Sequence, residues 1–154
     1  IGFPNRTGGY ELRDDRHFKG TIAPKDISVI GCVDGTKDIA HNIFKGFIDF
    51  LSFFTMKGKE TISPSIVLNS VSNLSRAIAY LHENGIDSVR AFLDNDQAGR
   101  QALQSLQSAG IKVEDMSLHY GRYKDLNEYH VSRQKVMEQK QKEPQSVVKR
   151  GFRR

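Results

Sequence analysis

The sequence predicts an α/β domain with a central, mainly parallel sheet flanked by helices. Three observations carry that prediction. Short apolar runs of strand length alternate with longer segments of helical period. The connections between them are short. Glycines stand where one pattern gives way to the next, at Gly58, Gly85 and Gly110. Strands separated by helices in this way usually lie parallel, because a parallel neighbour is reached only through a crossover.

Each element follows in order. Gly8-Gly9 makes a turn into a short strand in which Tyr10 and Leu12 alternate with polar residues. Residues 27–33 read as a buried strand ending at the turn pair Asp34-Gly35, and residues 40–44 as another short strand. Phe47, Ile48, Phe50, Leu51, Phe53 and Phe54 are apolar on all sides of a helix that closes near Gly58, so a buried helix is expected there rather than a base-stacking surface. Ile66-Val67-Leu68 is a buried strand. Leu74, Ala77, Ile78 and Leu81 mark an amphipathic helix over 73–84, and Ser88 to Leu93 is the next strand. Ala98, Ala102, Leu103, Leu106 and Ala109 share one face of a helix over 97–109, which Gly110 stops. Residues 111–116 form a further strand. A last helix begins at Asp125, with Glu128 three residues on as a capping box. Ligands of such sheets collect at the carboxyl ends of the strands, here just after Phe44, Leu68, Leu93 and Met116.

The 154 residues suffice for one ordinary domain, and 38% hydrophobic with 27% charged residues is a globular balance. No apolar run approaches the ~20 residues of a membrane span. The first residues lack the apolar core of a signal peptide, so no membrane partner and a cytoplasmic location are expected. The single Cys32 excludes an internal disulfide and any zinc site needing two cysteines. The five histidines show no metal spacing, and neither a P-loop nor a dinucleotide fingerprint is present. Ile1 in place of Met is expected of a piece of a longer chain. The net charge is +5, but residues 1–130 carry −1 and residues 131–154 carry +6. The basic excess thus belongs to a Gln-rich C-terminal tail, read first as a solvated helix running into a disordered end and second as an arm that touches phosphate.

The chemistry lies in the loops. Phe92-Leu93-Asp94-Asn95-Asp96-Gln97-Ala98-Gly99-Arg100 sets two carboxylates at i and i+2 after a strand, with Gly99 allowing a close approach of backbone or phosphate. Mg²⁺ takes hard oxygen ligands, often one or two carboxylates plus substrate phosphates. Asp94 and Asp96 suit that use, and capping of the following helix by Asp96 is the plain alternative. Lys45-Gly46-Phe47-Ile48-Asp49 follows another strand, and Lys124-Asp125-Leu126-Asn127-Glu128-Tyr129 follows the last. Asn69, after the 66–68 strand, suits either a nucleotide phosphate or a turn.

In that order and spacing these motifs resemble the Toprim domain of bacterial DNA primases, with its Glu-Gly-x-x-Asp, Asp-x-Asp with Ala-Gly, and Lys-Asp-x-x-Glu segments. Phe3-Pro4-Asn5-Arg6-Thr7-Gly8-Gly9-Tyr10-Glu11 and Phe18-Lys19-Gly20 look like the lead-in of primase-like proteins from plasmids and mobile elements. The resemblance covers roughly residues 3–130 and implies a Rossmann-like Toprim fold. It divides the chain into a lead-in (1–35), a Toprim domain (36–130) and the basic tail (131–154). It also implies Mg²⁺ (or Mn²⁺)-dependent nucleotidyl transfer in RNA primer synthesis on single-stranded DNA, with nucleotides, helicase or mobilisation proteins as partners. Asp94, Asp96 and Asp49 match the metal-binding carboxylates, and Asp94 is also a catalytic candidate. Gly46, Asn69, Gly99, Arg100 and Lys124 are the nucleic-acid or phosphate candidates, and Asp125 falls near the cleft.

Position 45 departs from the pattern, for Lys45 stands where the family has a catalytic Glu. Lys offers no carboxylate and no oxygen ligand, so catalysis by this chain is in question. Three placements are open: an ion pair with Asp94 or Asp96 that partly replaces the divalent cation, a direct contact to phosphate, or a stem turned to solvent. A non-catalytic, DNA-binding Toprim module is therefore the alternative function. A nuclease or topoisomerase type finds no assignable nucleophilic tyrosine.

Overall fold

The computed structural model describes residues 1–32, 38–58 and 63–143. Among the described residues the strands form two sheets. The smaller is antiparallel, β1 (Gly2–Pro4), β2 (Tyr10–Arg13) and β3 (Lys19–Ile22) in sequential order. The larger has five strands in the order β4 (Ser28–Ile30), β6 (Ser65–Val67), β5 (His41–Phe44), β7 (Ser88–Phe92) and β8 (Lys112–Asp115). Its pairs β5–β6, β5–β7 and β7–β8 are parallel, and only the edge strand β4 runs antiparallel to β6. The mainly parallel sheet predicted from the alternation is thus the architecture observed.

The helices α1 (Phe47–Lys57), α2 (Leu74–Glu83), α3 (Gln97–Ser108) and α4 (Leu126–Lys142) cover both faces. Successive side chains along a strand point to opposite faces, and the core divides accordingly. Ile43, Ile66, Val89 and Ala91 face one side, with Ala77 and Leu81 of α2 and Ala102 and Leu106 of α3. Phe44, Val67 and Phe92 face the other, with Phe47 and Phe50 of α1 and Leu126 of α4. Phe44 and Phe92, partners in the β5–β7 register, stack at 4.8 Å. Strands buried on both faces read as unbroken apolar runs, which is why they were visible in the sequence.

Differences from expectation are local. β1 and β3 were not predicted: with three or four mostly exposed residues each, they carry no alternating pattern. Helix α1 is not buried all round, for Phe54 at its far end is exposed while Phe47 and Phe50 are inside. β4 ends at Ile30, where Gly31 takes φ +68°, and its expected turn at Asp34-Gly35 lies outside the described residues, as does the boundary expected between residues 35 and 36. Residues 131–142 continue α4 as the solvated helix expected of the tail, rich in Lys and Gln; residues 144–154 lie outside those described. No described helix is long and apolar enough to cross a membrane.

The small sheet seats on α1. Phe3 of β1 stacks on Phe47 at 4.8 Å, and the Arg13 guanidinium lies over the same ring at 5.5 Å. Around the other edge, Arg6 bonds the buried Asp26 at 3.1 Å, and Ser28 Oγ donates to the Pro4 carbonyl at 2.7 Å. These contacts carry the β2–β3 hairpin to the carboxyl end of the five-stranded sheet.

Candidate functional site

β5 and β7 are neighbours in register, so the residues that follow them emerge side by side. After β5 come Lys45 and Gly46, and then α1 with Asp49 in its first turn. After β7 come Leu93 and Asp94, and then α3 capped by Asp96. The adjacency brings the Lys45 ammonium to 2.6 Å from Asp94 Oδ2. Of the placements open to Lys45, the ion pair with Asp94 is the one found. Asp94 is only 4% exposed and Lys45 38% exposed, so the pair is dry on one side and wet on the other. Burial works against the Lys45 charge, but the hydrogen bond and field of Asp94, with Asp96 and Asp49 behind it, hold its pKa above the ordinary value. Lys45 is therefore a fixed cation at neutral pH.

Asp49 is buried beside this pair. Its Oδ1 accepts the backbone N–H of Asn127 at 3.0 Å. Burial first, then the charge of Asp125 and of Asp94, push its carboxyl up to about 7, against the opposing pull of the Asn127 bond and of Lys45. Asp125 caps α4 by accepting the Glu128 N–H at 2.8 Å, while Glu128 Oε2 accepts the N–H of Lys124 at 2.6 Å. The expected capping box thus forms with its return bond one residue further back than the N-cap.

The two carboxylates of the Asp-x-Asp motif do not act together. Asp94 turns inward to Lys45, whereas Asp96 turns back to accept the Gly99 N–H at 2.8 Å as the N-cap of α3. The chain between them is pulled apart by Asn95. Its side-chain amide donates to the carbonyls of Ser117, Tyr120 and Tyr123 at 3.3, 3.0 and 2.9 Å, and its backbone N–H donates to Lys124 O at 2.7 Å. Asn95 is a half-buried clamp that sequence reasoning missed; an Asn between two acidic turn residues was the signal available. Gly99 permits the close approach expected of it, but the group approaching is backbone: a Cβ there would stand 1.9 Å from Asp94 O.

Lys45, Gly46, Asp49, Asn69 and Asp94 all line one cleft of about 410 Å³. Gly46 is extended (φ −132°) and uncrowded, so no steric demand for glycine exists there. It leaves the first turn of α1 without a side-chain cap, with amide groups open to an acceptor. Asn69, in the left-handed region at φ +63°, spends its amide on Asp26 O and Ser28 Oγ, the turn role rather than a free phosphate donor. Arg100 and Lys124 are exposed outside the cleft and form no ion pair among the described residues. Asp125 and Asn127 complete the floor, and Arg13, Asp14, His17, Phe18 and Lys19 of the β2–β3 hairpin form the opposite rim. The rim was missed because β3, on the far side of that turn, carries no strand signal.

Whether these residues suit a resident divalent cation can be tested on their donors. Asp94 is held by an ammonium and Asp96 by a helix N-terminus. Asp49 carries a carboxyl raised to about 7. Among the described residues no three acidic, histidine or cysteine side chains converge on a common point. As arranged, the donor set does not fit a metal ion.

Comparison with known proteins gives a family match and a structural likeness. The sequence model of the Toprim-like family matches residues 42–130. The fold is similar to the crystal structure of the primase fragment of the bacteriophage T7 primase-helicase protein, with a TM-score of 0.61 and 21% sequence identity. That likeness covers 90% of this chain and 60% of the fragment, so the chain spans less than two thirds of it. No protein of curated function matches.

Proposed function

The chain belongs to the Toprim-like family, and on that premise we propose that it is the Toprim domain of a primase-type protein, holding single-stranded DNA by its phosphates without catalysing nucleotidyl transfer. The observation that carries this reading is the 2.6 Å ion pair between Lys45 and Asp94. It puts a fixed positive charge where the family pattern has a Glu, and it neutralises the most buried carboxylate of the cleft. Lys45, Lys19 and the uncapped amides of α1 are the groups that would receive a phosphate, in a cleft that Asp14, Asp49 and Asp125 also line. Phosphate contacts of this kind are sequence-independent and weaken with salt. Arg100, Lys124 and the exposed cations of α4, Arg133, Lys135, Lys140 and Lys142, add positive charge outside the cleft.

The competing reading is Mg²⁺- or Mn²⁺-dependent primer synthesis, which requires Lys45 to leave Asp94. One experiment separates the two. Binding of a labelled single-stranded oligonucleotide is measured by fluorescence anisotropy, alongside template-directed primer synthesis with each metal. The expected result is salt-sensitive binding, no primer, and weaker binding by Lys45→Ala. Primer made by the wild-type chain and lost in Asp94→Asn would refute the non-catalytic reading.

A further inference from the structure

The β2–β3 hairpin presents an aromatic ring to solvent at the rim of the cleft. Phe18 is 55% exposed, in contrast to Phe3, Phe44, Phe47, Phe50, Phe53 and Phe92, which stack on one another inside. Its exposure is not the looseness of a turn. Asp14 Oδ1 accepts the N–H groups of both Arg16 and Phe18 at 2.8 Å, closing the turn on itself. His17 is held at φ +72°, a left-handed conformation rare outside glycine and one that bends the chain so that Phe18 can fold back. The ring then lies over the backbone of Gly20, where a Cβ would come within 2.8 Å of its edge. Glycine at position 20 leaves room for the ring there, and Phe18 stays more than half exposed to solvent. Lys19 adjoins it, and Lys45 lies in the same cleft.

We propose that Phe18 is a base-stacking platform, on whose exposed ring a nucleobase of single-stranded DNA lies while adjoining phosphates reach Lys19 and Lys45. An aromatic face beside a cationic track is the arrangement by which single strands are held without regard to sequence, because every base has a π-face. This inference rests on the reading that the cleft binds single-stranded DNA, and it adds the base contact to the phosphate contact.

The sequence contains no Trp, so Phe18→Trp introduces the only tryptophan, excited apart from the tyrosines, at the proposed contact. Its emission is read during titration with an ordinary oligonucleotide and with one whose residues are abasic, alongside anisotropy measurements on the wild type and Phe18→Ala. The expected result is about tenfold weaker binding by Phe18→Ala, the lower part of the range for one stacked base. Phe18→Trp, which keeps an aromatic face, should bind more tightly than Phe18→Ala, and the ordinary strand but not the abasic one should quench it. If the wild type binds and the Trp is not quenched, the platform is overturned while phosphate binding stands, whether or not Phe18→Ala binds more weakly. Unchanged affinity in Phe18→Ala overturns it equally. If the wild type binds no oligonucleotide, the DNA reading and the platform fall together.

Discussion

Replacing Lys45 by Glu restores the family residue and reverses the charge facing Asp94. At 2.6 Å and an effective dielectric of about 20, the attraction lost has an upper bound of about 6 kcal/mol. Solvent reaches the ammonium and not the carboxylate, so the true figure lies between two limits. Exposed pairs are worth about 1 kcal/mol, and stranding one member of a buried pair costs about 3–5 kcal/mol. A loss of about 2–3 kcal/mol is expected for Lys45→Met, and more for Lys45→Glu, which adds repulsion from Asp94 and Asp49. The assay is urea denaturation in chelator and in millimolar Mg²⁺ or Mn²⁺. Metal should stabilise Lys45→Glu by about 2.7 kcal/mol at a hundredfold excess over its dissociation constant, and the wild type hardly at all. Equal stabilisation of both chains would refute the idea that the ammonium stands in the place of the cation. No stabilisation of Lys45→Glu by either metal would refute the idea that these carboxylates form a masked metal site.

The other predictions concern the walls of the cleft. Because the folded chain holds the Asp49 proton up to about pH 7, while the unfolded chain releases it near pH 4, stability should fall as pH rises through that window and level off above it. Asp49→Asn removes the penalty, so it should stabilise by on the order of 2–4 kcal/mol at pH 8 and little at pH 4; an equal gain at both, by denaturation, would refute the titration. Gly99→Ala should destabilise by about 3 kcal/mol despite the better helix propensity of Ala, since the new methyl meets a backbone oxygen; a more stable variant in urea would show that α3 is free to move. Asn95→Ala should lose about 2–4 kcal/mol through its three deprived carbonyls, and Asn95→Asp at least as much, as read by thermal melting.

How much of this was visible in the sequence depends on the range of the contacts. The parallel sheet was legible because both its faces are buried, which writes Ile43-Phe44, Ile66-Val67 and Ala91-Phe92 as apolar pairs. The ion pair was legible as one of three alternatives because Lys45 and Asp94 each follow a strand end. Which alternative held was decided by register, since β5 and β7 are adjacent, and no local pattern records adjacency. The same holds for Asn127, whose N–H reaches Asp49 from 78 residues away, and for the hairpin rim, placed by the stacking of Phe3 on Phe47. Asp94 and Asp96 look equivalent in the sequence; the Gly99 N–H and the carbonyls gathered by Asn95 make them different.

Helix α4 starts at the cleft, where Asp125 caps it, and only Leu126 within it is buried. Its first two turns are held by Tyr123, which packs edge-on to Tyr129 at 5.5 Å and shares a hydrogen bond with Ser132 at 3.0 Å. From Arg133 to Lys142 every residue is exposed. Seventeen residues at about 1.5 Å each make a rod roughly 25 Å long, anchored at one end and unsupported at the other. A torque on its outer half acts with leverage on Asp125 at the floor of the cleft. Amide exchange should therefore be graded along the rod, slow at Tyr129 and fast at Gln139, and any contact that seizes its outer end should slow exchange at the cleft as well.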